Sequence, residues 1–214
     1  MAGGANKAFI ENPQGFLNQN LIVVKEGKLA RPAGHYKVNL HLTPDQATDE
    51  NGGALAVYAP YLSAGADKGG IGSNQFEAWF LPWQPDRTFQ LTLDNSAQFL
   101  FTPGMSGCTF VSAAGDTPTV AHLNWLKPGT DQVSDTITAQ KVSAVFSGQR
   151  VARTRREDYK ADGSPVRRVF VVGWRGHNKW AFYAQHLDIV GASTGTIWKR
   201  IRAPESLKYV HDIP

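Results

Sequence analysis

The chain has 214 residues, 42% of them hydrophobic and 19% charged, with a formal net charge of +4. That length and composition fit a soluble globular protein with a substantial core and exclude a disordered chain. No run approaches the roughly 18–20 apolar residues of a spanning helix, and Met1–Ile10 lacks the basic-then-apolar pattern of a secretory signal. A protein made in the cytoplasm without such a signal is expected to reach any outside target through separate export.

One domain over residues 1–214 is expected, since no repeat, low-complexity tract or convincing linker interrupts the chain. The charge is uneven: residues 1–140 carry −4 and the remainder +8. A basic final third fits an acidic partner surface or nucleic acid, and equally a solvated face of cationic strands.

The chain predicts mainly strands. In His35–Leu42, alternation puts Tyr36, Val38, Leu40 and Leu42 on one face. Further strands are expected at Ala54–Tyr61, Phe76–Leu81, Thr88–Leu93, Gln98–Thr102, Thr109–Ala113 and Thr119–Trp125. Ser143–Val151, Val166–Trp174, Trp180–Ile189 and Thr196–Ile201 complete the set. Turn signals at Asn51-Gly-Gly, Pro85-Asp, Asp94-Asn, Asp162-Gly-Ser-Pro and Gly176-His-Asn separate them. Short helical turns are expected at Thr43–Asp49, with Thr43 as cap, and at Ala203–Val210. Gly65–Gly72 reads as an exposed loop. The expected fold class is mostly β, with a few peripheral helices and long loops around a sandwich of two packed mixed or antiparallel sheets.

Cys108 is the single cysteine. It excludes an internal disulfide and thiolate-rich zinc sites, and leaves a small buried hydrophobe or a reactive thiol. Its surroundings are Phe99-Leu-Phe-Thr-Pro-Gly-Met-Ser-Gly-Cys108, then a Gly115-Asp-Thr-Pro turn and a strand bearing His122. Two antiparallel strands across that turn bring His122 back toward Cys108. An imidazole beside a thiol favours the thiolate and shuttles protons, and Thr102 is placed to steady the imidazole. Gly107 leaves room for a substrate beside the sulfur, and the backbone N–H groups of the Ser106–Gly107 turn suit an oxyanion. Ser106 lacks the Gly-x-Ser-x-Gly elbow of a serine nucleophile and reads as a turn hydrogen-bonder. Asp116 reads as a turn aspartate.

No cofactor or metal is expected: His35, His41, His177, His186 and His211 show no ligand spacing. The six tryptophans read as core or rim residues. Arg150, Arg153, Arg155, Arg156, Arg167, Arg168 and Arg175, interleaved with Tyr159, Phe170 and Trp174, would suit single-stranded nucleic acid. No recognised nucleic-acid signature accompanies them, so docking to an acidic protein target, or plain solvation, is preferred.

Met105-Ser-Gly-Cys108 with a downstream histidine resembles the Leu-Ser-Gly-Cys motif of the glutamine-deamidating bacterial toxins, of the cytotoxic necrotizing factor and Burkholderia lethal factor type. Phe80-Leu-Pro-Trp83, Phe101-Thr102, Ala114–His122 and Tyr36–Leu42 extend the resemblance to the lethal factor type over about residues 35–125. Met105 for leucine and a slightly longer Cys-to-His loop are the departures. The resemblance implies a cofactor-free deamidation of glutamine to glutamate through a Cys108 thioester, with His122 as base and Thr102 as third member. It implies a monomeric toxin acting on a host protein in the host cytosol, not on a membrane. The favoured target is a translation-initiation RNA helicase, inhibiting host translation, and the next a Rho-family GTPase. An amine replacing water would give transglutamination. The rival reading is a non-catalytic β-sandwich binding module with a basic C-terminal surface; a bacterial deamidase of chemoreceptors ranks third.

Overall fold

The computed structural model describes residues 2–24, 32–63, 75–159, 167–192 and 195–213. The chain begins with α1 (Ala2–Glu11), α2 (Pro13–Gln19) and β1 (Asn20–Ile22), then β2 (Gly34–Leu42), β3 (Gln46–Thr48) and β4 (Ala54–Ser63). It continues through β5 (Phe76–Phe80), β6 (Arg87–Thr92), β7 (Phe99–Phe101), β8 (Thr109–Ala113), β9 (Thr119–Asn124) and α3 (Asp135–Phe146). The last third holds β10 (Arg150–Thr154), α4 (Arg156–Tyr159), β11 (Arg167–Gly176), β12 (Lys179–Ala192), β13 (Thr196–Arg200), β14 (Glu205–Ser206) and β15 (Tyr209–Asp212).

The mostly β expectation holds, but the larger sheet is not one open layer of a sandwich. Its order β4-β2-β5-β7-β11-β12-β13-β3 closes, because β3 pairs with both β13 and β4. Eight strands thus form a barrel, which removes the exposed edges an open sheet would carry. β1 and β14 attach to β4 and β12. A separate five-stranded sheet runs β15-β10-β8-β9-β6.

Three apolar clusters connect these parts. Phe9 and Phe16 of the N-terminal helices pack with Val38, Leu40, Phe76, Phe99, Phe101 and Val172 in the first. Leu100, Val169, Val171 and Phe182 of the barrel wall meet Phe110 and Val120 of the small sheet in the second. Val111, Ala121 and Leu123, on the opposite face of that sheet, meet Val142 and Phe146 of α3 in the third. The small sheet is therefore covered on both faces, which is why every residue of β8 is buried.

Several local expectations change. The segment read as strand Ser143–Val151 is the end of α3 followed by β10. Ser134 caps α3 by accepting from the Ile137 N–H, and Thr138, Val142 and Phe146 form its buried stripe. Within Thr43–Asp49, Gln46–Thr48 forms β3 instead of a helical turn, because the Asp45 carboxylate accepts from the Thr196 N–H at 2.8 Å and Trp198 Nε1 at 3.2 Å. Ala203–Val210 holds β14 and the start of β15 instead of a helix; β14 is drawn into register with Tyr183 and Ala184. In β2, Val38 and Leu40 are buried as expected, whereas Leu42, beyond the packed part, is 67% exposed. The Gly176-His-Asn turn is a two-residue hairpin with His177 at φ 49° and Asn178 at φ 64°, the doubly left-handed pair that suits strand twist. Gly65–Gly72 and the Asp162-Gly163 tip lie outside the described residues. Among those described, no helix is long and apolar enough to cross a membrane.

Candidate active site

β8 and β9 form an antiparallel hairpin in which Thr109 pairs with Leu123 and Phe110 with His122. Gly115, at φ +124°, takes the turn between them. Alternation directs Phe110, Val120 and His122 toward the barrel, and Val111, Ala121 and Leu123 toward α3. Cys108, two residues before Phe110, belongs to the barrel-side cluster with it. The sulfur-bearing residue and the imidazole are thus diagonal neighbours on one sheet face, and no hydrogen bond joins them, since His122 Nε2 has no hydrogen-bond partner among the described residues.

Thr102 leaves the end of β7 and meets β9: its Oγ1 lies 2.6 Å from His122 Nδ1. Both residues are fully buried. Burial alone pushes the imidazole from its ordinary 6.5 down to about 3, so it is neutral at physiological pH. No hydrogen-bond partner meets Nε2 among the described residues; in the tautomer whose Nδ1–H donates to Thr102, Nε2 carries an open lone pair. A neutral imidazole suits proton removal concerted with attack.

Ser106, Gly107 and Cys108 line one cleft of about 640 Å³ together with Trp83, Asn124, Val133 and Arg156. Cys108 itself is only 4% exposed, so it is a buried residue of the cleft lining and not part of an open surface. A Cβ on Gly107 would lie 2.8 Å from Val133 Cγ2. The space that Gly107 leaves free is filled by this chain's own Val133, held by the Leu126–Val133 bridge. Asp116 stays in the exposed turn.

Two residues missed or misread in the sequence belong to this region. Tyr159 is buried, not a surface stacking platform, and its hydroxyl donates to the Cys108 carbonyl at 2.8 Å. Burial, with Cys108 alongside, raises its phenol pKa, so it stays a donor. The Tyr159 carbonyl accepts from Arg167 at 3.2 Å, and Arg167 is paired with Asp188. Asn124 follows His122 by two on the same face of β9 and is also buried; period-two spacing from His122 was the available signal. Phe170 and Trp174 pack with the barrel core. Arg155 pairs with Glu157 and Asp158, and Arg156 with Asp135, so part of the arginine crowd is internally neutralised. Among the described residues, no group of three or more His, Cys, Asp or Glu side chains is placed to hold a metal ion.

No protein-family model matches the chain, and no curated protein matches its sequence. Among solved structures it is similar to the C-terminal domain of CNFy from Yersinia pseudotuberculosis. The TM-score is 0.43 at 8% identity, over 96% of this chain and 98% of that one. So distant a likeness decides nothing about chemistry.

Proposed function

We propose that the chain is a cysteine-dependent protein-glutamine deamidase, acting as a toxin or effector on a host protein, with Cys108 as nucleophile, His122 as base and Thr102 as its orienting partner. The observation that carries this reading is the unpartnered Nε2 of a fully buried, neutral His122 on the same sheet face as the lone cysteine. Buried polar atoms are almost always satisfied, and one left open beside a nucleophile is suited to a proton in transit.

His122 Nε2 takes the thiol proton as Sγ attacks the carboxamide carbon, and backbone N–H groups of the Ser106–Cys108 turn hold the oxyanion. Collapse breaks the C–N bond, and His122 returns the proton to the departing nitrogen as ammonia. Water, deprotonated by the same Nε2, attacks the resulting thioester. Expulsion of the sulfur, reprotonated by His122, releases glutamate. Thr102 holds the ring so that Nε2 faces the reacting atoms, and Tyr159 fixes the backbone of Cys108.

The sequence resemblance supports this chemistry and favours a translation-initiation RNA helicase as target, with a Rho-family GTPase second. Eukaryotic cell extract incubated with the wild type and with Cys108→Ser tests the reading by mass spectrometry. Glutamines converted to glutamate only by the wild type support it and identify the target. Identical extracts would leave the non-catalytic binding module as the better reading.

A further inference from the structure

We infer that Asn124 is a specificity residue of this cleft, accepting a hydrogen bond from the N–H of a primary carboxamide presented to Cys108. The inference rests on the deamidase reading above and adds to it the group that recognises the leaving nitrogen.

Continuing the β8–β9 register by one step beyond Thr109–Leu123 sets Asn124 opposite Cys108. Alternation puts its side chain on the face that carries His122, and both Asn124 and Cys108 line the same cleft. Asn124 is 7% exposed, and its Oδ1 meets neither solvent nor a hydrogen-bond partner among the described residues. Two open polar atoms, His122 Nε2 and Asn124 Oδ1, therefore follow one another at a spacing of two along one strand face.

An amide oxygen can only accept, so what completes it is a donor. Neither neighbour bonds it or supplies a strong donor: His122 Nε2 makes no hydrogen bond and, in the tautomer that serves as base, is itself an acceptor, and the Cys108 thiol donates weakly and loses its proton on attack. A primary carboxamide brings two N–H donors on the nitrogen that departs. The glutamate product brings none, and its carboxylate oxygens would face Oδ1 unfavourably. An ester of similar size brings none either. Asn124 thus favours the amide substrate over its own product, and a site built to bond an N–H discriminates strongly against groups lacking one.

The test uses two neutral thiol reagents of similar size, iodoacetamide and methyl iodoacetate. Their rates at Cys108 are read by intact-protein mass and normalised to the same pair of rates on glutathione. The wild type is expected to favour the amide reagent by about tenfold or more, and Asn124→Leu to bring the normalised ratio near one. Asn124→Ala, checked alongside by circular dichroism, gives the same reading should the leucine variant misfold. Modification of Cys108 with a ratio unchanged in both folded variants overturns the role of Asn124 alone. No modification of Cys108 by either reagent would overturn the deamidase reading, and the inference with it.

Discussion

Replacing His122 by asparagine, which keeps a polar atom near the Nδ1 position facing Thr102, removes the most strongly perturbed imidazole among the described residues. In the unfolded chain that imidazole binds its proton near its ordinary 6.5; in the folded protein burial holds it at about 3. Below 6.5 the unfolded state therefore takes up a proton that the folded state refuses. Stability from this group is complete above about pH 7, falls as the pH drops through 6.5, and levels off near 3. At pH 5, one and a half units below 6.5, the loss is about 2 kcal/mol at ~1.36 kcal/mol per unit. His186 is also pushed down, to about 4, chiefly by burial and then by Arg202. It is present in both proteins, so its contribution cancels in the comparison. Urea denaturation at pH 7.5 and pH 5 should show the wild type losing about 2 kcal/mol more than His122→Asn. Equal losses would mean that His122 is not a buried neutral base, and the proton transfers assigned to it would fail.

Thr102→Val keeps the volume and removes the partner of Nδ1, and should lower kcat roughly ten- to a hundredfold in a glutamine-deamidation assay, equivalent to about 1–3 kcal/mol. Tyr159→Phe deletes the bond to the Cys108 carbonyl; urea unfolding should show a loss of about 1–2 kcal/mol, with kcat reduced more than KM is raised. Gly107→Ala places a methyl against Val133 and should destabilise by about 1–3 kcal/mol, while Gly107→Ala with Val133→Ala recovers most of it. Additive losses in that pair would show that the two do not meet.

Several strands were legible: Thr109–Ala113 falls where the sequence predicts it, and the hairpin that returns His122 follows from the Gly115 turn. What escaped depends on contacts remote in sequence. Asp45 becomes part of the barrel closure because Thr196 and Trp198, some 150 positions away, donate to it, overriding the local Thr43-Pro44 helix signal. α1 contains two glycines and little propensity; packing explains it, since Phe9 packs edge-on and tilted among Phe16, Phe76, Phe99 and Phe101. α3 was readable from Ser134 as cap and the 138–142–146 stripe, but the apolar run over 142–146 imitates a strand. In the candidate site, residue chemistry pointed to Cys108, His122 and Thr102, and the structure adds the Thr102–His122 contact and the shared face. The neutrality of His122 was not readable, because its burial comes from the barrel wall and not from its sequence neighbours.

Hydroxylamine added to wild type and eukaryotic extract attacks a glutamyl thioester faster than water does, and so records the intermediate directly. Mass spectrometry should find a glutamyl hydroxamate at the same glutamine that becomes glutamate without the reagent, and neither product with Cys108→Ala. Glutamate formed by Cys108→Ala, or conversion by the wild type that hydroxylamine never intercepts, would contradict covalent chemistry at this sulfur.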